Sequence, residues 1–171
     1  MYVTTTAEGI ATQSKVARMA NGLELSVKYT DENDKPINPA TLSQSSTFRA
    51  YVTIRNTSGK NQENVAITHI VPAGWEILST QPAGSINYQD VRDDRVLSYL
   101  DNFSINESVT IRVNLSATYA GQYYLPSIHA EAMYDAAITG CTDPPPIFMR
   151  SGSSFGIAAA MSDACRTLSP C

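Results

Sequence analysis

The sequence predicts an all-β fold, an antiparallel β-sandwich, on three observations. Charge is scarce, with 43% of residues hydrophobic and only 16% charged, while nine Tyr accompany plentiful Thr, Val, Ile and Ser. Those residue types suit a pleated, half-buried surface better than a helix. Three segments alternate with period two, one face dry and the other wet, as in antiparallel sheets packed on one side. Turn chemistry also recurs at short intervals between apolar runs, the spacing of a sandwich of six to eight strands.

Along the chain, the first clear strand is LELSVKYT at 23–30, where Leu23, Leu25, Val27 and Tyr29 oppose Glu24, Ser26 and Lys28. Asp, Asn and Pro between Asp31 and Asn38 mark a turn. In TFRAYVTIRN at 47–56, Phe48, Ala50, Val52 and Ile54 share one face, and a polar glycine loop, TSGKNQ, follows at 57–62. VAITHIV at 65–71 and WEILST at 75–80 are shorter candidates joined by a Pro-Ala-Gly turn. DRVLSYL at 94–100 follows the turn marked by Gly84. The longest alternation is SVTIRVNLSATY at 108–119, with Val109, Ile111, Val113, Leu115 and Ala117 on the dry face. Beyond Gly121 lies a last candidate, YYLPSIHAEA at 123–132.

After Gly140 the character changes. Three consecutive prolines, a Ser/Gly stretch, a short Ala run and all three cysteines, Cys141, Cys165 and Cys171, fall in this segment. The expected organisation is therefore one sandwich domain over residues 1–140 and a tail over 141–171, either disordered or foreign to the domain. A short helix from Gly156 to Asp163 is compatible with its composition. An odd cysteine count leaves the pairing open.

The same residues exclude several functions. Net charge is −4, and the basic residues are scattered singly, so nucleic acid is not an expected partner. No 18-residue apolar run occurs, so direct membrane insertion is not expected. His69 and His129 lie far apart on different strands, and are read as satisfied or solvated histidines rather than as metal ligands. The dense run DVRDDRV at 90–96 carries two arginines among its acids and lacks the Gly and distal Glu of an EF-hand. It reads as a salt-bridged turn entering a strand. No GxSxG and no activated-thiol setting is present, so no enzyme, cofactor or metal is expected.

Four segments, in order, carry a family resemblance. IVPAGWEI at 70–77, YQDVRDDRV at 88–96 and AGQYYLPSIHAEAMYD at 120–135, with a Gly-Leu opening at Gly22, are similar to the C-terminal, tenth macroglobulin-like domain of bacterial alpha-2-macroglobulins. The resemblance implies a fibronectin-III-like sandwich within a large periplasmic or envelope-anchored protease trap. Such a parent captures target proteases with a Cys-Gln thioester held in a separate domain. The thioester signature is absent here, since Thr-Asp-Pro follows Cys141 and Arg-Thr-Leu follows Cys165. By the same resemblance, Met133 and Tyr134 lie on a loop covering the thioester domain of the same parent chain. Ala136 stands where the family usually has Pro. The residues themselves leave another reading open, because alternation continued from Ile128 through Ala130 and Ala132 turns Tyr134 inward as a strand-end residue. A generic extracellular adhesion or surface binding module is the alternative function.

Overall fold

The computed structural model describes residues 18–82, 84–143 and the backbone strand at 146–149. Cys165, Cys171 and the helix expected at 156–163 lie outside the described residues. Twelve strands are present among the described residues: β1 (Met19–Asn21), β2 (Leu23–Thr30), β3 (Ser46–Asn56), β4 (Gln62–Ile70), β5 (Trp75–Gln81), β6 (Tyr88–Val91), β7 (Arg95–Phe103), β8 (Ser108–Ala117), β9 (Gly121–Tyr124), β10 (His129–Ala132), β11 (Asp135–Cys141) and β12 (Pro146–Met149). The one helical element among them is a 3-10 turn at Pro39–Thr41, capped by the Asn38 side chain, which accepts from the Ala40 amide.

The strands form a six-stranded sheet in the order β1-β11-β10-β4-β7-β6, a four-stranded sheet in the order β2-β3-β8-β5, and a two-stranded β9-β12 ribbon. All strand pairs are antiparallel. This is an all-β sandwich of antiparallel sheets, the fold class that the sequence predicts. The three alternating segments became β2, β3 and β8, neighbours in the four-stranded sheet. Their dry faces hold Leu23, Leu25, Phe48, Ile54, Val113 and Leu115, all buried against Val65, Ile67 and Leu100 of the larger sheet. Trp75 meets Phe48 and Tyr29 edge-on, with ring centroids 4.8 and 5.8 Å apart. Burial pushes the Tyr29 hydroxyl pKa upward. At one margin Thr80 Oγ1 donates to Gln89 Oε1 (2.6 Å) and Gln89 Nε2 donates to Ser98 Oγ (2.9 Å), joining β5 to β6 and β7.

The strands exceed the six to eight expected because four of the additional ones are short or unpatterned. The candidate at 123–132 is two strands, β9 and β10, interrupted around Pro126, which cannot donate to a ladder. β11, over DAAITGC, lacks alternation because its register with β10 shifts within the strand, so its inward residues do not fall at every second position. The compositional break after Gly140 falls inside this strand. Cys141 is buried, and Thr142 exchanges two bonds with Ile128, its amide donating to the Ile128 carbonyl and its hydroxyl accepting from the Ile128 amide.

Candidate functional site

The Met133–Tyr134 pair occupies the turn between β10 and β11, since Ala132 pairs with Asp135. Both side chains are exposed, Met133 by 57% and Tyr134 by 86%. The inward placement that continued alternation would give Tyr134 does not occur, because the chain reverses immediately after Ala132.

Two-residue hairpins favour left-handed turn residues, whose twist matches that of the strands. The described non-glycine residues with positive φ are Asp34, Ser45, Asn64 and Asn106, so neither Met133 nor Tyr134 adopts that conformation. The mismatch is absorbed in β11. Its register shifts between Glu131↔Thr139 and Ala132↔Asp135, leaving Ala136, Ala137 and Ile138 as an irregularity opposite a continuous β10. Ala136, the departure from the family pattern, is an exposed residue of this bulge.

The base of the hairpin is tied down on every side. The Met133 amide donates to the Asn64 carbonyl of β4 (3.0 Å). Lys60 Nζ donates to Asp135 Oδ2 (3.1 Å), while Asp135 Oδ1 accepts from the Ala137 amide (3.2 Å). Those bonds, the Lys60 contact first, hold the Asp135 carboxyl below the usual carboxylate range. Asn21 Nδ2 donates to the Ala137 carbonyl. Gly140 passes so near β2 that a Cβ there would lie 2.2 Å from the Leu23 carbonyl oxygen. The result is a fixed platform carrying two apolar side chains into solvent.

Two loops share this end of the sandwich, 57–61 between β3 and β4 and 104–107 between β7 and β8. A single buried amide joins them. Asn56 Nδ2 donates to the carbonyls of Lys60 (2.9 Å), Phe103 (3.0 Å) and Ser104 (3.1 Å), and its Oδ1 accepts from the amide (3.0 Å) and hydroxyl (2.7 Å) of Ser58. Sequence periodicity could not reveal this role, since Asn56 reads only as the polar end of a strand.

The remaining candidates from the sequence resolve differently. DVRDDRV is the β6–β7 hairpin, with Arg92 on Asp90 (2.9 Å) and Arg95 on Asp94 (2.6 Å), the salt-bridged turn expected. His69, expected to be satisfied or solvated, is neither. It lies on the inward face of β4, 3% exposed, with no hydrogen-bond partner for either nitrogen among the described residues. Burial lowers its pKa to about 4. His129 lies on β10 opposite Thr68. Among the described residues, no group of three His, Cys, Asp or Glu is placed to hold a metal ion, and no helix is long and apolar enough to cross a membrane.

Comparison with known proteins agrees with this architecture. The family model of the bacterial alpha-2-macroglobulin MG10 domain matches residues 22–136, more than half of the chain. Alpha-2-macroglobulin of Pasteurella multocida is 34% identical over 128 residues, covering 70% of this chain and 6% of that protein. The Yersinia pestis homolog is 29% identical over 147 residues, covering 68% of this chain and 7% of that protein. The chain thus spans less than a tenth of the length of these relatives. Among solved structures, the native conformation of Escherichia coli alpha-2-macroglobulin superimposes with a TM-score of 0.71 at 18% identity, covering 81% of this chain and 10% of that one. Salmonella alpha-2-macroglobulin reacted with methylamine gives 0.70 at 17% identity, covering 80% and 10%. Identities that low speak for the fold, and the family match speaks for descent: this chain belongs to the bacterial alpha-2-macroglobulin MG10 domain family.

Proposed function

We propose that this domain is a non-catalytic part of a bacterial protease trap, and that Met133 and Tyr134 shield the thioester of a neighbouring domain in the same parent chain. The observation that carries the reading is the exposed Met-Tyr tip on a hairpin whose base is fixed. A thioester is lost when water or an amine adds to its carbonyl and the Cys thiolate leaves, so its lifetime depends on excluding both. A broad aromatic ring beside a flexible thioether can cover such a bond and fill the space around it. Burying each side chain against a partner contributes about 1.5–3 kcal/mol, enough to hold a lid that a rearrangement of the parent can later release. Target proteases are met by the full-length protein, in the periplasm or at the cell envelope.

The test is Tyr134→Gly in the full-length parent. Thiol release in methylamine should accelerate on the order of tenfold, the equivalent of about 1.4 kcal/mol of lost cover. The sandwich itself should keep its melting temperature, because Tyr134 makes no core contact. Unchanged methylamine sensitivity in a folded variant would falsify the shielding role.

A further inference from the structure

We propose that the docking surface at this end of the sandwich extends to Ile105, which contacts the same thioester-bearing neighbour as Met133 and Tyr134; this rests on the shielding role above. Ile105 is 48% exposed in the 104–107 loop. Nothing in the loop requires an apolar side chain there, because its shape is fixed by polar bonds. The Ser104 amide donates to Glu107 Oε2 (2.8 Å), the Glu107 amide to the Ser104 carbonyl (3.1 Å), and the Asn106 amide to the Asn56 carbonyl (3.1 Å). Asn106 takes a positive φ of 60°, and Ser85 Oγ donates to Glu107 Oε1 (2.9 Å).

A lone exposed isoleucine is ordinary on a protein surface. This one is coupled to the hairpin. The Ile105 amide donates to Asn61 Oδ1 (2.9 Å), the adjacent Lys60 pairs with Asp135 (3.1 Å), and Asp135 directly follows Tyr134. β7 and β10 flank β4 in the sheet, so the two loops leave strands ~10 Å apart laterally. They are staggered along the strands, because β10 ends opposite Val65, whose partner Leu100 precedes the end of β7 at Phe103. One neighbouring surface can therefore cover Ile105, Met133 and Tyr134 together. Because Asn56 ties the 57–61 loop to the 104–107 loop beforehand, and the Met133 amide holds the hairpin to the Asn64 carbonyl, docking orders little new chain. Between the apolar side chains stands a compensated Lys60–Asp135 pair, which suits a weakly charged partner rather than an acidic or basic one. The family's chains are far longer than this one, 6% of the Pasteurella protein being covered, and so supply such a partner in cis.

The experiment compares Ile105→Asp, Ile105→Ala, Ile105→Leu and Tyr134→Gly in the full-length parent, following thiol release in methylamine. Ile105→Asp should accelerate release at least threefold and Ile105→Ala less, with Ile105→Leu near wild type. Each substitution is also placed in the 171-residue chain, where an unchanged melting temperature shows that the sandwich is intact. Fast release in Tyr134→Gly with wild-type release in both Ile105→Asp and Ile105→Ala overturns this extension and leaves the lock standing. Wild-type release in all four overturns the shielding role and the extension with it. Sedimentation of the 171-residue chain as a dimer that Ile105→Asp dissociates, with thiol release unchanged, assigns the surface to a second copy and also overturns it.

Discussion

Protonating His69 would place a charge between two sheets that offer it no partner. Its folded pKa of about 4 lies below the ordinary 6.5, so between those values the unfolded chain binds a proton that the folded chain refuses. Stability is therefore whole above pH 6.5 and falls as pH drops toward 4. At roughly 1.4 kcal/mol per unit, the loss between pH 7 and 5 is about 2 kcal/mol. Urea unfolding midpoints across that interval should show it, and His69→Leu should flatten the slope. The carboxylates held low by partners, Asp34, Asp94, Glu107 and Asp135, lose their contribution at more acid pH, below the ordinary carboxylate range, which keeps the two effects apart. Asn56 makes a second prediction at this scale. Asn56→Leu removes donors from three carbonyls and should lower stability by about 3 kcal/mol, read as a fall in melting temperature. Neither residue's role was legible in the sequence. Alternation assigns His69 to the inward face of β4, but it cannot say whether a buried nitrogen finds a partner, and hydrogen bonds across 48 positions, as from Asn56 to Ser104, leave no local pattern.

Among the elements, legibility followed the environment of each strand. β2, β3 and β8 face a core on one side and a more polar environment on the other, so period-two patterning was visible. β1 and β6 are too short to show a period, and β11 carries a register shift through small residues, which breaks the alternation. The hairpin tip was legible only through the family resemblance, because Met-Tyr carries none of the Gly, Asn or Asp that normally announces a two-residue turn. β11 is also where the element-scale predictions belong. Gly140→Ala would drive a methyl into the Leu23 carbonyl, and should cost about 3 kcal/mol or prevent folding, as a thermal scan would show. Ending the chain after Gly140 removes buried Cys141, the Thr142–Ile128 bonds and the β9–β12 pairing, so its melting temperature should fall measurably. A truncated chain as stable as the parent would mean that these pairings contribute nothing.

For the molecule as a whole, the division of labour runs along the sandwich axis. The aromatic cluster of Tyr29, Phe48 and Trp75 packs inside, whereas the Asn56-linked loops and the Met133–Tyr134 hairpin form an end that is stiff yet apolar at its tips. Composition and alternation were enough for the fold class, and four ordered segments were enough for the family. Which side chains reach solvent at that end, Ile105 among them, was not legible in the sequence.

The burial of Trp75 has an optical consequence. It is the chain's only tryptophan, 3% exposed and ringed by two other aromatics, so tryptophan emission, excited to the red of tyrosine absorption, reports the core and says nothing of the hairpin. A Tyr134→Trp chain would add a second, water-quenched emitter at the tip, shifted to the red of the first. Its band should move to the blue when the tip is covered, giving a spectroscopic clock for docking and release that leaves the Trp75 signal as an internal reference.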